Sequence, residues 1–268
     1  MLAHRDRRAR RRRVIPYFEL REIPIGGGRS LAAFGTLVTL GIFAGAWFAE
    51  RRGRLAGIPA REIPEAILSA VVPGLVLAHL LALLPQQRGP DGWSLRAVLE
   101  FWNGMSSFGG FAGALLGFCL YYWRSRRSLL PMADVLVQAL VIGWVFGRLG
   151  CTLVHDHVGT PSEFVLAVRF PHGPRHDLGL YEFLYTVVIL VPAVVVLNRR
   201  RRPPGTSVAV LALLYAPARF LLDFLRQTDL PGADVRHHGL TVAQYGSIVL
   251  AGIGIALVIR IRRAASAL

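Results

Sequence analysis

Long apolar runs, separated by shorter polar segments, make up most of the chain from residue 31 onward. A helix that spans a membrane needs about 20 consecutive, mostly apolar residues. Seven runs approach or reach this length: 31–49, 64–84, 106–123, 131–150, 180–197, 205–225 and 241–259. Their apolar residues lie all round the helix, which is typical of helices surrounded by lipid and by other helices. The pattern therefore predicts an all-α fold, a polytopic membrane helical bundle with about seven transmembrane helices.

Small residues are frequent in these runs, and the third run has the clearest series. Gly109, Gly110, Gly113 and Gly117 recur at the spacing of helix turns. Small residues at such positions allow two helix backbones to approach closely in lipid. We therefore predict that this face of the third helix packs against a neighbouring helix.

The composition agrees with a membrane protein. Of the 268 residues, 53% are hydrophobic, a larger share than soluble domains usually have. The two cysteines, Cys119 and Cys151, are too few for a disulfide scaffold. Cys119 lies inside an apolar run and is interpreted as a small buried residue.

The charge is strongly positive, but its distribution argues against a nucleic-acid partner. The formal net charge is +15, and all 31 basic residues are arginines. Proteins that bind nucleic acid gather their basic residues on one face. Here the arginines are divided among short loops between apolar runs, so no nucleic-acid partner is expected.

The same arginines predict the orientation in the membrane. Fourteen lie in the segments after the first, third, fifth and seventh runs, and six lie in the longer loops on the opposite side. The positive-inside rule places the arginine-rich side in the cytoplasm. The carboxyl terminus is then cytoplasmic and, with seven spans, the amino terminus is outside.

The amino-terminal segment opposes this orientation. Residues 5–13 contain seven arginines and would lie outside. Either the later loops outweigh them, or translation starts downstream of Met1, or one span is miscounted; the first two alternatives are favoured. A signal peptide is disfavoured, because polar and turn-forming residues separate the basic segment from the first apolar run.

Three segments are predicted along the chain. They are a basic tail and interfacial segment at 1–30, a single transmembrane domain at 31–263, and a C-terminal tail at 264–268. Residues 14–30 are too few and too polar to span, so Tyr17 and Phe18 are expected among the lipid headgroups at the outer interface. The sequence contains no internal repeat and no separate soluble domain.

Arg148 lies near the outer end of the fourth apolar run. An arginine in or near hydrocarbon costs several kcal/mol unless it has a partner or reaches the interface. One interpretation is an arginine that extends to the interface. The other is a clamp for an anionic headgroup, because the planar guanidinium donates two parallel hydrogen bonds to phosphate.

The sixth run ends in a polar stripe. Tyr215, Arg219 and Asp223 are spaced by four residues and Arg226 follows, so they are expected on one helix face. A structural ion pair between Arg219 and Asp223 is one interpretation. The other is a second arginine directed at the same cavity as Arg148, and two arginines at the outer leaflet suggest a site for a lipid phosphate.

The loop 151–179 contains several histidines, among them His155, His157 and His176, with Asp156 between the first two. Zinc binding is an alternative, but the spacing matches no standard site. We therefore predict no metal and no cofactor. Histidine acts readily as a general base near neutral pH, and these three are the candidate bases. Cys151 is interpreted as a small residue at a helix end.

Four ordered motifs give the chain a specific resemblance. They are "GMSSFGGFAG" at 104–113, "GRLG" at 147–150 with Gly159 and Pro161 downstream, "PRHDLGLYE" at 174–182, and "YAPARFLLDFLRQTD" at 215–229 followed by "GLT" at 239–241. With these motifs the chain resembles the prolipoprotein diacylglyceryl transferase family of bacterial inner membranes. The resemblance covers most of the chain from about residue 31.

The chain also departs from the family pattern. Phe108 stands where the family usually has a histidine before the paired glycines. After "GRLG" the family continues with Asn, Phe, an Asn-Gly pair and Glu, whereas this chain has Cys151, Thr152, Val154, His155 and Asp156. Asp156 keeps the carboxylate, and Asp223 likewise stands where the family has Glu.

The resemblance implies a transfer of the diacylglyceryl group from phosphatidylglycerol to the cysteine thiol of a prolipoprotein signal peptide, at the lipobox. It implies a multi-pass protein of the bacterial inner membrane with its site toward the outer leaflet, in contact with membrane lipid. The predicted catalytic residues are His155, Asp156, His157 and Tyr215. The predicted substrate-binding residues are Arg148, Arg219, Asp223, Arg226, His176, Tyr181, Glu182, Gly109 and Gly110.

Two alternatives use the same residues differently. The changed signature is compatible with a relative that binds lipid or peptide without transfer, or that uses another acceptor. A transporter is the third possibility, because charged residues within spans can line a substrate path. It is disfavoured, since the sequence lacks the paired halves and broken helices of repeat transporters.

Overall fold

The computed structural model describes residues 14–83, 94, 98–100, 105–230 and 233–266. The predictions for the basic segment 5–13 and for most of the loop 85–105 lie outside the described residues.

Within the described residues, seven long helices follow the predicted runs. They are α1 (Ala33–Leu55), α2 (Glu62–Leu83), α3 (Ser107–Ser125), α4 (Leu129–Val154), α5 (Leu178–Asn198), α6 (Thr206–Leu222) and α7 (Val242–Ala265). Helix α5 widens into a π-helical turn at Thr186–Leu190, and α6 continues as a 3₁₀ turn at Asp223–Leu225. The predicted helical, multi-pass membrane architecture is confirmed.

Among the described residues, six helices are long and apolar enough to cross a membrane. Helix α3, which coincides with the predicted third span, is the long helix that is not apolar enough to be among these six. Its glycine-rich face and its polar end at Tyr121, Tyr122 and Arg124 lower its hydropathy. Length alone makes α3 comparable with the other helices, because 19 residues extend close to the thickness of a bilayer core.

Short strands occupy two segments in which the sequence predicted no regular structure. Before α1 lie β1 (Ile15–Pro16), β2 (Glu22–Gly26) and β3 (Arg29–Ala32); between α4 and α5 lie β4 (Val158–Pro161), β5 (Val168–Phe170) and β6 (Gly173–Asp177). Strands β2 and β3 form a hairpin, and the other four form a sheet in the order β1-β5-β6-β4. The pairing satisfies backbone hydrogen bonds in segments too short and polar to form membrane helices.

A second hairpin precedes the last helix. It consists of β7 (Arg236–His237) and β8 (Leu240–Thr241). Thr241 then caps α7: its hydroxyl accepts from the Gln244 amide, and the Gln244 side chain accepts from the Thr241 amide. This reciprocal pair is a capping box, which fixes where the helix starts.

The chain divides into two compact units. One contains the described residues up to Gly45 and those from Val137 onward; the other is Ala46–Leu136. The first unit therefore holds the four-stranded sheet and helices α5, α6 and α7, together with parts of α1 and α4. The second unit holds α2 and α3.

Within the second unit, α3 packs on α2 through its glycines. A Cβ atom on Gly109, Gly113 or Gly117 would lie 2.5, 2.3 or 2.2 Å from a carbonyl oxygen of α2. These separations are shorter than a carbon–oxygen contact allows, so only glycine fits at this helix crossing. The predicted close-packing face is confirmed at these three positions. Gly110 is less confined, since its Cβ would lie 3.8 Å from the Ala78 methyl group.

Candidate active site

The ends of three helices meet in the first unit and bring charged side chains together. Arg148 lies near the end of α4, Glu182 near the start of α5, and Arg219 near the end of α6. Successive membrane helices run in opposite directions, so these three ends belong to the same side. All three side chains are largely buried, with exposed fractions of 10%, 2% and 11%.

Glu182 is the centre of this cluster. One of its carboxylate oxygens lies 2.9 Å from Arg148 Nη2 and also accepts a 2.9 Å hydrogen bond from the Tyr215 hydroxyl. Its other oxygen lies 3.6 Å from Arg219 Nε. A buried carboxylate is tolerated only when positive charge and hydrogen bonds compensate its lost hydration. The two predicted arginines thus converge on one protein carboxylate.

Arg148 is held from two further directions. Its guanidinium carbon lies 4.4 Å from the ring centre of Trp144, one helix turn earlier, in a cation–π contact. Its Nη1 lies 3.9 Å from Cys151 Sγ. Its Nε is buried without a hydrogen-bond partner among the described residues. The Nε atoms of Arg52, Arg175 and Arg226 are buried in the same state, so this donor is available to a ligand but does not by itself identify one.

Asp223 is the second buried carboxylate. Arg219 Nη1 lies 2.5 Å from its Oδ1, Arg226 Nε lies 3.3 Å from the same oxygen, and the Thr241 hydroxyl donates to its Oδ2. Arg226 also reaches Asp234 at 2.7 Å. Because the α-helix ends before Asp223, Arg226 does not continue the predicted helix face; it meets Asp223 through the 3₁₀ turn.

The cluster is electrically balanced. Three guanidiniums (Arg148, Arg219 and Arg226) alternate with three carboxylates (Glu182, Asp223 and Asp234). The sequence left two interpretations open for Arg219, an ion pair with Asp223 or a second positive group facing the same cavity as Arg148. In the fold each arginine contacts a carboxylate. A bound phosphate would therefore use the guanidinium N–H groups that the carboxylates leave free, since each guanidinium carries five.

His155 has a structural environment. Its Nδ1 lies 2.5 Å from Asp177 Oδ2 and its Nε2 lies 2.9 Å from the Phe18 carbonyl oxygen, and Tyr17 stacks on its ring at 4.9 Å. Both partners are acceptors, so both ring nitrogens donate. Burial opposes the charge, but the Asp177 carboxylate outweighs it and raises the pKa of His155. Because neither ring nitrogen is left to accept a proton, the prediction of His155 as the base does not fit this geometry.

The backbone at His155 is also unusual. Its φ is 51°, in the left-handed region that favours glycine. The family pattern has the glycine of its Asn-Gly pair at this position, which accounts for that glycine in physical terms. In this chain a histidine adopts the same conformation, and its two hydrogen bonds hold it there.

Asp177 is a site residue that sequence reasoning missed. It is fully buried, accepts from the Leu180 amide at 3.0 Å as the N-cap of α5, and binds His155 with its other oxygen. The available signal was an aspartate directly before an apolar helical run, which is a common helix start. Asp177 thereby fixes the start of the helix that carries Glu182.

Asp156 and His157 follow His155 in the chain, but their side chains lie beside Cys151, whereas the His155 side chain binds Asp177 and the Phe18 carbonyl. His157 Nδ1 lies 2.5 Å from Asp156 Oδ1. Burial raises the pKa of Asp156, but the hydrogen bond and charge of His157 outweigh it and the pKa is lowered. One donor atom each from Cys151, Asp156 and His157 lies within 4.8 Å of the others. These three are the described residues that are placed to hold a metal ion.

His176 and Tyr181 form a neighbouring pair. His176 Nδ1 lies 2.8 Å from the Tyr181 hydroxyl, and the ring of Phe164 lies near both. Burial lowers the pKa of His176, so its imidazole is neutral near pH 7 and able to accept a proton. His176 therefore remains a candidate base.

Arg175 and Gly159 connect the sheet to the segment after α6. Arg175, which the sequence did not single out, is buried; it binds both carboxylate oxygens of Asp229 and donates to the Gly159 carbonyl. A Cβ on Gly159 would lie 2.7 Å from the Leu225 carbonyl oxygen and from the His176 Cβ. The glycine therefore permits this close approach.

The predicted substrate-binding residues Gly109 and Gly110 lie on α3 in the second unit. Their neighbours in the fold belong to α2, and a role with substrate stays a prediction. Phe108, which replaces the histidine of the family pattern, has a 59% exposed side chain.

The sequence was compared with those of known proteins. The model of a family described as prolipoprotein diacylglyceryl transferase matches residues 23–260. A phosphatidylglycerol–prolipoprotein diacylglyceryl transferase of Nitratidesulfovibrio vulgaris (strain DSM 19637 / Miyazaki F) is 29% identical, over 87% of this chain and 90% of the relative. A protein of the same name from Francisella tularensis subsp. holarctica (strain OSU18) is 25% identical, over 85% and 88%.

Proposed function

Because the chain belongs to the prolipoprotein diacylglyceryl transferase family, we propose that it transfers the diacylglyceryl group of phosphatidylglycerol to the cysteine thiol of a prolipoprotein signal peptide. The acceptor is the lipobox cysteine. In the reaction the cysteine sulfur forms a C–S bond to the phosphate-bearing carbon of the diacylglyceryl group. The bond between that carbon and the phosphate oxygen breaks, and glycerol phosphate leaves.

The observation that carries this proposal is the convergence of Arg148 and Arg219. They come from two different membrane helices and meet at Glu182. The leaving phosphate of this reaction needs positive donors fixed in advance, which is the arrangement that stabilises charge developing in a transition state. The unpartnered Arg148 Nε is one such donor.

Glu182 has an orienting role in this proposal. A buried carboxylate between two guanidiniums limits their rotamers before the lipid arrives, so less conformational entropy is lost on binding. It also lowers the net charge of the cluster, which favours release of glycerol phosphate after transfer. Phosphate binding is thus expected to depend on the geometry of the donors more than on total charge.

The acceptor thiol needs activation. A free cysteine thiol has a pKa of about 8.5 and reacts as the thiolate. His157 and His176 are the proposed proton acceptors, since His155 is bound through both ring nitrogens. The proposed location of the site is the outer leaflet of the bacterial inner membrane, since the positive-inside rule puts the arginine-rich loops of the opposite side in the cytoplasm.

The test is thioether formation on a lipobox peptide by the purified protein with phosphatidylglycerol, followed by mass spectrometry. Arg148→Lys and Arg219→Lys keep the charge but lose the planar fork, so each is expected to lower transfer roughly 10-fold to 100-fold. Arg169→Lys, at the exposed position of β5, is the matched control and should transfer normally. Wild-type transfer by Arg148→Lys would refute the phosphate clamp.

A second candidate function is binding of lipid or signal peptide without transfer. The observation that favours it is the balanced charge of the cluster, together with Phe108 in place of the family histidine. Expression in bacteria depleted of their own transferase separates the two functions. Growth supports transfer, whereas failure to grow despite full membrane expression supports binding alone.

A further inference from the structure

The group formed by Cys151, Asp156 and His157 has the chemistry of a metal site. A thiol sulfur, a carboxylate oxygen and an imidazole nitrogen lie within 4.8 Å of one another. Zinc binds these three donor types at about 2.0–2.3 Å, and tetrahedral geometry then separates the donors by about 3.3–3.8 Å. His157 Nδ1 and Asp156 Oδ1 are 2.5 Å apart without a metal, so side-chain rotations have to widen this pair and bring the three donors to tetrahedral spacing.

The backbone holds the three donors on a fixed frame. Cys151 lies in the last turn of α4, and Gly179 of α5 packs against it so closely that a Cβ there would lie 3.1 Å from the Cys151 Cβ. The left-handed turn at His155, held by Asp177 and Phe18, directs the next two residues back toward the helix end.

Charge also favours a divalent cation. Cys151 as thiolate and Asp156 as carboxylate together carry two negative charges, which a divalent ion neutralises. Arg148 Nη1 lies 3.9 Å from Cys151 Sγ and opposes a nearby cation, so the two negative charges of the thiolate and the carboxylate must offset it. Arg148 Nε has no hydrogen-bond partner among the described residues, so it can bind an anion such as the leaving phosphate beside the three donors.

We propose that Cys151, Asp156 and His157 bind one zinc ion whose fourth position takes the acceptor thiol of the substrate. The proposal rests on the proposed transferase function, and it replaces the proton-acceptor role given there to His157 by a role as zinc ligand. Zinc sites with three protein ligands keep an open position for water or substrate. A thiol that binds zinc is deprotonated, so the metal supplies the thiolate.

The reaction step balances without any redox change. The acceptor thiol replaces water on zinc and its proton passes to solvent. The zinc-bound sulfur then attacks the glycerol carbon, the C–S bond forms, and the C–O bond breaks with its electron pair on the phosphate oxygen. Arg148, which lies next to Cys151, would hold the phosphate that leaves.

The departures from the family pattern fall on these positions. Cys151 stands where the family has Asn, Asp156 where it has Glu, and a histidine follows directly. The histidine of the glycine-rich motif is replaced by Phe108. A metal that delivers the thiolate makes a separate proton acceptor less necessary, so the gained ligands and the lost histidine have one explanation.

Cobalt(II) binding to the purified chain in detergent tests the site. We expect about one cobalt per chain, displaced by zinc, with the near-ultraviolet charge-transfer absorption of a cobalt thiolate. Cys151→Ser should abolish that absorption, while Cys119→Ser, which changes the other free cysteine, should retain it. His157→Ala should weaken binding at least roughly tenfold, whereas His172→Ala, at an exposed loop position, should not.

Thermal unfolding in detergent is a second measurement of zinc binding, and it also shows whether each variant is folded. Zinc should raise the thermal midpoint of the wild type and of Cys119→Ser, but not that of Cys151→Ser or His157→Ala. If cobalt gives no thiolate absorption in the wild type, or if the absorption persists in Cys151→Ser, the zinc site is refuted.

Chelation separates this inference from the proposed function. Transfer that stops on removal of zinc and returns on its addition supports both. Transfer that continues at the wild-type rate in metal-free protein refutes the zinc role and leaves the transferase intact. Zinc binding by a protein that makes no thioether supports the metal site and refutes the transferase function.

Discussion

The Glu182 carboxylate is charged and buried, and three donors compensate the hydration that it loses there. Arg148 and Tyr215 contact one oxygen at 2.9 Å, while Arg219 lies 3.6 Å from the other. Removing a donor from a buried charge costs more than the hydrogen bond itself is worth, because the charge stays buried without it. The Tyr215 hydroxyl is the simplest of the three donors to remove.

Tyr215→Phe is therefore expected to destabilise the protein by about 1–3 kcal/mol. The measurement is the unfolding midpoint in detergent. Tyr245→Phe is the control, because that hydroxyl donates to the His237 carbonyl at an exposed position and its loss should be nearly neutral. Equal effects of the two substitutions would show that Glu182 does not depend on Tyr215.

At the scale of single residues, the sequence indicated which residues belong to the site, but it did not indicate which residues contact one another. The cost of an arginine near hydrocarbon indicated that Arg148 has a partner or reaches the interface, and the spacing of Arg219 and Asp223 left an ion pair between them as one of two interpretations. Nothing local in the sequence indicated that Glu182 joins the two arginines, or that Asp177 binds His155. Those contacts arise from three-dimensional packing between helices.

At the scale of elements, backbone proximity stabilises the pair α2–α3. In lipid, apolar side chains gain little by leaving their surroundings, so helix association depends on close van der Waals contact. The glycines of α3 bring its backbone against the carbonyl groups of α2. The sequence could predict this face because small residues repeat at helix-turn spacing.

Gly113→Ala should disrupt this contact. Its Cβ would lie 2.3 Å from the Pro73 carbonyl oxygen, so the helices must separate, at a cost of about 1–3 kcal/mol. Gly252→Ala on α7, with no atom within 4 Å of its Cβ, should be neutral or stabilising. Thermal unfolding in detergent compares the two variants, and a Gly113→Ala midpoint as high as that of Gly252→Ala would contradict this packing.

The whole molecule follows from seven apolar runs, and this part of the fold was accessible from sequence. A run of about 20 apolar residues has few alternatives to a membrane helix. The short strands were not accessible, because two to five residues carry too little periodicity and their partners lie far away in sequence. Strand β1, for example, pairs with β5 across four helices.

Orientation is a prediction at this scale. Reporter fusions with alkaline phosphatase, which is active only outside the cytoplasm, should be inactive after Arg202 and after Arg263 and active after Asp229. The expected pattern follows from the arginines after α5 and α7. High activity of the fusion after Arg263 would show that the orientation is the reverse of the predicted one, with Arg148, Arg219 and Arg226 on the cytoplasmic side.

The ion pairs between helices set an order on biosynthesis. Arg148 leaves the ribosome before Glu182, whereas Arg219 leaves it after Glu182, because translation runs from the amino terminus. During insertion the end of α4 therefore carries an uncompensated cation until α5 arrives. A nascent chain that stops after α4 should be held at the translocation machinery or degraded, because Arg148 gains its carboxylate partner, Glu182, only when α5 has been made.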